Sequence, residues 1–107
     1  MIVEKRTYTL RPGGVPLYMK IYGEFGVDVQ KKILGNMVGW YYPEIGELNQ
    51  IIHMWGYKDL ADREKRRARL GKSKDWQNYL SKIREHQLIV KQENQILIPA
   101  PWSPMPK

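Results

Sequence analysis

The stretch Leu48–Tyr57 restricts the fold more than any other part of the chain. Read with the alternation of a strand, one parity gives Leu48, Gln50, Ile52 and Met54, and the other gives Asn49, Ile51, His53, Trp55 and Tyr57. Both faces carry large apolar groups. An antiparallel strand wet on one side alternates apolar with polar residues. Burying one such side chain stabilises by about 1.5–3 kcal/mol, so several left in water would form the kind of patch that marks an interface. A sheet built on this strand needs cover on both sides.

The rest of the sequence supplies cover for one. Residues 2–10, rich in Val, Thr and Tyr and stopped by Arg11-Pro12-Gly13-Gly14, read as a strand and a turn. Pro16 suits a first helical turn, and Tyr18, Tyr22, Phe25 and Val29 then recur at helical spacing, with Gly23 and Gly26 weakening the helix. Residues 37–42 and 48–57 are strand-like around the turn Pro43–Glu47, which makes a hairpin. Asp59 caps a helix through Leu60, Ala61 and Leu70 that Gly71 ends, and Asp75 caps a continuation carrying Trp76, Tyr79, Leu80 and Ile83; the two read as one broken helix. Leu88–Val90 and Ile96–Ile98 flank a polar stretch and form a last strand, or two short ones.

The order is βαββαβ, an α+β fold of the ferredoxin-like type with a four-stranded antiparallel sheet and its helices on one face. Residues 1–98 form this domain, and the Pro-rich residues 99–107 form an extended tail. Pairing with a second copy, sheet to sheet, covers the remaining face. A tail folded across that face is the other solution.

Charge narrows the partners. The net charge is +7, and most of the excess lies in residues 63–74, where seven Lys and Arg face Glu64 alone. Such a run is usually a solvated face, and no aromatic-interleaved groove or nucleic-acid motif accompanies it, so nucleic acid is not the expected partner. Lys65, Arg66, Arg67 and Arg69 suit an acidic protein or an anionic membrane surface, and Arg63 is placed to pair with Asp59 or Glu44. The chain has no cysteine, which excludes disulfide and thiol chemistry, and no apolar run nears the roughly 18 residues that span a bilayer. The expected location is cytoplasmic.

The run Glu44-Ile45-Gly46-Glu47-Leu48-Asn49-Gln50-Ile51-Ile52-His53-Met54-Trp55-Gly56-Tyr57, followed by Leu60, Ala61, Asp62, Arg63 and Trp76, resembles the NIPSNAP family, as does the opening Arg6–Gly13. The ending Pro101-Trp102-Ser103-Pro104 matches the family's aromatic-Ser-Pro ending only loosely. The resemblance implies a dimeric α+β barrel in which two ferredoxin-like sheets close face to face. It implies no settled activity.

If Tyr42 pairs with Asn49 across the hairpin, Val38, Trp40 and Tyr42 share a face with Asn49, Ile51, His53 and Trp55, and this face is expected to look into the barrel. Glu4, Arg6 and Tyr8, the more polar parity of the first strand, are expected to meet the same interior. The candidate ligand-binding residues are then Arg6, Tyr8, Trp40, Asn49, His53 and Trp55: an arginine for an anionic group, Asn49 and Tyr8 to orient a carbonyl or hydroxyl, and His53 to exchange a proton near neutral pH. The plainer reading makes Trp40, Trp55 and Tyr57 dimer core, with Asn49 and His53 satisfying each other or the backbone. With a single histidine there and no second His or carboxylate at ligand spacing, no metal or cofactor is expected, and His86 at a helix end is solvated.

Two functions follow. One is a homodimeric binding or interaction module. The other is a small enzyme, cofactor-free or haem-dependent and of monooxygenase type, acting on a hydrophobic oxygenated substrate in the barrel.

Overall fold

Two short interruptions decide how the helices lie on the sheet. In the computed structural model, which describes residues 1–104, the first helical region is two helices, α1 (Gly14–Phe25) and α2 (Val27–Leu34). They part at Gly26, where a Cβ would stand 2.9 Å from the rings of both Tyr22 and Tyr79, so only glycine lets the backbone approach this closely. The break shifts the helical phase. Phe25 and Val29 therefore leave the expected stripe, Phe25 turning outward beneath the Lys82 amine and Gln30 taking the buried position.

The second region is also two helices, α3 (Leu60–Lys72) and α4 (Lys74–Glu85). Asp59 caps α3 as expected, its carboxylate accepting from the Asp62 N–H at 2.8 Å. The second cap is Ser73, not Asp75: its backbone is extended and its hydroxyl accepts from the Trp76 N–H at 3.2 Å, while the helix before it runs on through Gly71.

Strands β1 (Ile2–Leu10), β2 (Met37–Tyr41), β3 (Gln50–Tyr57) and β4 (Ile89–Leu97) form one antiparallel sheet in the order β2-β3-β1-β4. This is the ferredoxin-like α+β arrangement, with each crossover helix divided in two and the last strand continuous. The hairpin pairs Trp40 with His53 and Tyr41 with Ile52, two residues away from the expected register. A two-residue offset preserves parity, so Trp40 does share a face with His53. A bulge after Met37 leaves Val38 unpaired and exposed, so Val38 does not join that face.

The direction of the faces is the reverse of expectation. Ile51 and Trp55 are 0% exposed and His53 is 3% exposed, and they pack against helices, not toward a partner. Leu10 and Ile51 join Tyr18, Tyr22, Tyr79 and Ile83 of the helices in one cluster; Trp55 and Tyr57 join Leu34 and Leu70 in a second. Trp40, Trp55 and Tyr57 are thus packed within the single chain. The open face carries Lys5, Thr7 and Thr9 of β1, Gln50, Ile52 and Met54 of β3, Tyr41 of β2, and Glu93, Gln95 and Leu97 of β4. The physical reason is that charge in β1 does not mark the wet side, because Glu4 and Arg6 point under the helices and are paired there. Over the described residues the tail only forms a turn, Ser103 N–H to the Ala100 carbonyl, and Pro106 lies outside the described residues. No helix among the described residues is long and apolar enough to cross a membrane.

Candidate functional site

Five of the six candidate residues share the helix-covered face, and the sixth does not. Asn49 lies at the end of the sheet, where its side-chain oxygen accepts from the Gly13 N–H at 3.0 Å and its carbonyl accepts from Leu10 N–H. It fastens the hairpin to the turn after β1, and it neither bonds His53 nor enters the interior.

His53 sits at the centre of the remaining set. Tyr8 meets its ring edge-on at 5.1 Å between centroids, and Trp40 stacks beside it at 6.3 Å. The Trp55 indole N–H donates to His53 Nδ1 at 2.7 Å. Because Nδ1 accepts, the proton of the neutral ring is on Nε2. Burial, reinforced by the charge of Arg6, lowers the His53 pKa to about 3. The ring is therefore held neutral near pH 7.

Arg6 is already engaged. Its Nε donates to the Tyr8 hydroxyl at 3.0 Å and its Nη1 to Glu4 Oε2 at 3.1 Å. The same Glu4 oxygen takes Arg63 Nη2 at 2.8 Å and Asn94 Nδ2 at 3.0 Å, so Arg63 pairs across the core and not with Asp59 or Glu44. Burial alone would raise the Glu4 carboxyl. The hydrogen bonds from Arg63 and Asn94 and the charges of Arg6 and Arg63 overturn this and hold it at about 2. Arg6 is thus a member of a buried ion-pair network, with Nε and Nη1 both engaged.

Beside this network lies a partly enclosed cavity of about 110 Å³ between sheet and helices. Tyr8, Trp40 and His53 form its sheet wall; Tyr18 and Tyr22 of α1 and Gln30 of α2 form a second wall; Trp76, Tyr79 and Leu80 of α4 form a third. Arg84 and Gln92, both exposed, stand at its edge. Trp55 seals the far side of His53 and does not line it. Tyr22 stacks on Trp40 at 5.2 Å and donates to Gln30 Oε1, and the Tyr79 hydroxyl bonds that of Tyr18 at 3.1 Å. Burial pushes the hydroxyl pKa values of Tyr18, Tyr22 and Tyr79 up, so all three stay neutral. The spacing of these tyrosines marks helical stripes and nothing more; Gln30 carries no signal at all. A larger hollow of about 410 Å³ near Gly35 and Tyr57 is a surface dent whose Asp62 and Arg66 are bonded to each other, with Arg66 also reaching the Ile33 and Leu34 carbonyls.

The basic segment divides in the same way. Arg66 ties α3 to the end of α2, where a Cβ on Gly35 would stand 2.8 Å from its guanidinium, and Arg67 is half-buried; Lys65 and Arg69 are exposed. Among the described residues no group of three or more His, Asp or Glu gathers as a metal site.

A family model described as NIPSNAP matches residues 3–104. The human protein NipSnap homolog 3B is 32% identical, covering 97% of this chain and 41% of its own length, and the zebrafish (Danio rerio) protein NipSnap homolog 1 is 34% identical, covering 97% and 36%. The chain spans about two fifths or less of these relatives. Among solved structures, an Agrobacterium tumefaciens protein superposes with a TM-score of 0.93 at 44% identity, covering 98% of this chain and 99% of that one, and another structure from that organism is described as a NIPSNAP family protein with unknown function. A NIPSNAP-like domain protein of Burkholderia xenovorans gives 0.92 at 42%, covering 99% and 90%. An antibiotic biosynthesis monooxygenase gives 0.61 at 9% over 94% of this chain and all of that one, a likeness of fold alone.

Proposed function

The chain belongs to the NIPSNAP family, and from that premise we propose that it is a homodimeric binding domain that holds a small ligand between its sheet and its helices. One observation carries the reading: an aromatic cavity whose wall includes a buried, neutral histidine. Apolar hollows with a few convergent polar groups are where small ligands bind. Trp40 and Trp76 on the wall give the experiment its signal. A fragment library read by tryptophan fluorescence should yield saturable binders, and Leu80→Trp, which fills the cavity, should abolish them. Binders that persist in the filled variant, or no binders at all, would overturn the reading.

Pairing uses the open face, where Tyr41, Ile52, Met54 and Leu97 interrupt an otherwise polar surface, and a second copy offers the same mixed face in return. Light scattering should give the mass of a dimer, reduced to a monomer by Ile52→Lys.

The enzyme reading draws on the monooxygenase fold likeness, which carries no chemistry by itself. A neutral His53 and a wall without a carboxylate supply no acid–base pair near neutral pH. The cavity is also far too small for a porphyrin.

A further inference from the structure

Most polar groups of the cavity keep a proton to give. The exception is the Tyr22 hydroxyl, whose proton goes to Gln30. His53 accepts at Nδ1 from Trp55 and carries its proton on Nε2, which bonds no group among the described residues. The Tyr8 oxygen accepts from Arg6 Nε, leaving its own O–H. Tyr18 and Tyr79 share one hydrogen bond between two hydroxyls, so one proton is left over. Gln30 Oε1 is taken by Tyr22, leaving its amide N–H groups, and the Trp40 and Trp76 indoles are donors only. Among the described residues no carboxylate lines the cavity, and the one charge at its edge is the cation Arg84.

Size sets the second limit. A cavity of roughly 150 Å³ lined by apolar groups holds benzene; at about 110 Å³ this one is smaller, so it admits at most a single ring, with any substituent lying in its open edge beside Arg84 and Gln92. Its walls are rings as well, in stacked and edge-on pairs that accept an aromatic guest.

We infer that the cavity takes a one-ring aromatic molecule bearing an oxygen acceptor, a carbonyl or carboxylate, with His53 Nε2–H as the central donor. This rests on the ligand-binding reading above and adds the chemical class. It makes His53 a hydrogen-bond donor and not a base. Its direction is set by Trp55, since a ring with Nδ1 held as acceptor presents an N–H at the other nitrogen.

Acetophenone and ethylbenzene are near-isosteres that differ in the acceptor, and hydrophobicity alone favours ethylbenzene. A site of unpaired donors reverses that order, because a guest without an acceptor leaves the donors unsatisfied. Titration calorimetry on the wild-type chain should show acetophenone bound at least tenfold more tightly. In protein labelled with 15N-histidine, acetophenone should move the His53 Nε2 resonance and ethylbenzene should not. Trp55→Phe, which releases Nδ1 and the fixed tautomer, should shrink the preference. Equal binding of the two probes, or a still Nε2 resonance, would overturn the donor assignment while leaving the ligand site standing. Tighter binding of 2-acetonaphthone than of acetophenone would overturn the one-ring limit. Binding of neither class would remove the ligand-binding reading itself.

Discussion

The two faces of the sheet are made by the same strands and differ in what surrounds them. Under the helices, β1 contributes Glu4, Arg6 and Tyr8; on the open side it contributes Lys5, Thr7 and Thr9. By polarity the two sets are hard to rank. The difference is partnership: Glu4 is 0% exposed yet meets Arg6, Arg63 and Asn94, whereas the Lys5 side chain bonds no group among the described residues. A charge can face a core when the fold brings its counter-charges from afar, so polarity along one strand does not tell which way the strand faces.

The contrast should be largest when one partner is removed. Glu4→Ala leaves two arginines unpaired under the helices and should cost about 3 kcal/mol or more in urea unfolding. Acid should act next, and both buried groups push in the same direction. Glu4 titrates at about 2 in the fold and near 4.3 unfolded, so its contribution is complete above roughly pH 5 and is lost as pH falls toward 2. His53 titrates at about 3 in the fold and near 6.5 unfolded. The unfolded chain therefore takes up that proton first, and stability should decline below about pH 6.5 by up to about 1.4 kcal/mol per unit. Unfolding at pH 7, 6 and 5 should show this slope, and His53→Phe should flatten it. Asn49→Ala, which frees one turn N–H at the sheet's end, should cost about 1 kcal/mol and leave ligand binding unchanged. With pairing already broken by Ile52→Lys, Lys5→Ala on the open face should stay within about 0.5 kcal/mol, and a cost as large as that of Glu4→Ala would erase the distinction between the faces.

Local features were legible in the sequence. The Asp59 cap, the hairpin around Pro43–Glu47 and the parity shared by Trp40, His53 and Trp55 follow from neighbours within a few residues. The orientation of that parity was not, because Arg63 and Asn94 lie 59 and 90 residues from Glu4 and nothing near Glu4 announces them. The divided helices fall between these extremes. Gly26 was visible as a weak point, but its packing against Tyr22 and Tyr79 exists only once α4 has docked. The candidate site shared this limit: Tyr8, Trp40 and His53 were legible as a cluster, whereas Tyr18, Tyr22 and Tyr79 showed only as positions in helical stripes, because an aromatic stripe is the same in sequence whether or not a hollow lies among the rings.

The four tryptophans test the central claim, that the ligand site lies under the helices, in one spectrum. Trp40 and Trp76 line the cavity, Trp55 is sealed behind His53, and Trp102 is 86% exposed on the tail. Addition of acetophenone to 15N-labelled protein should move the indole N–H signals of Trp40 and Trp76 most, that of Trp55 less, and that of Trp102 not at all. Movement of Trp102 with Trp40 and Trp76 unchanged would place the ligand outside the helix-covered face and contradict the account.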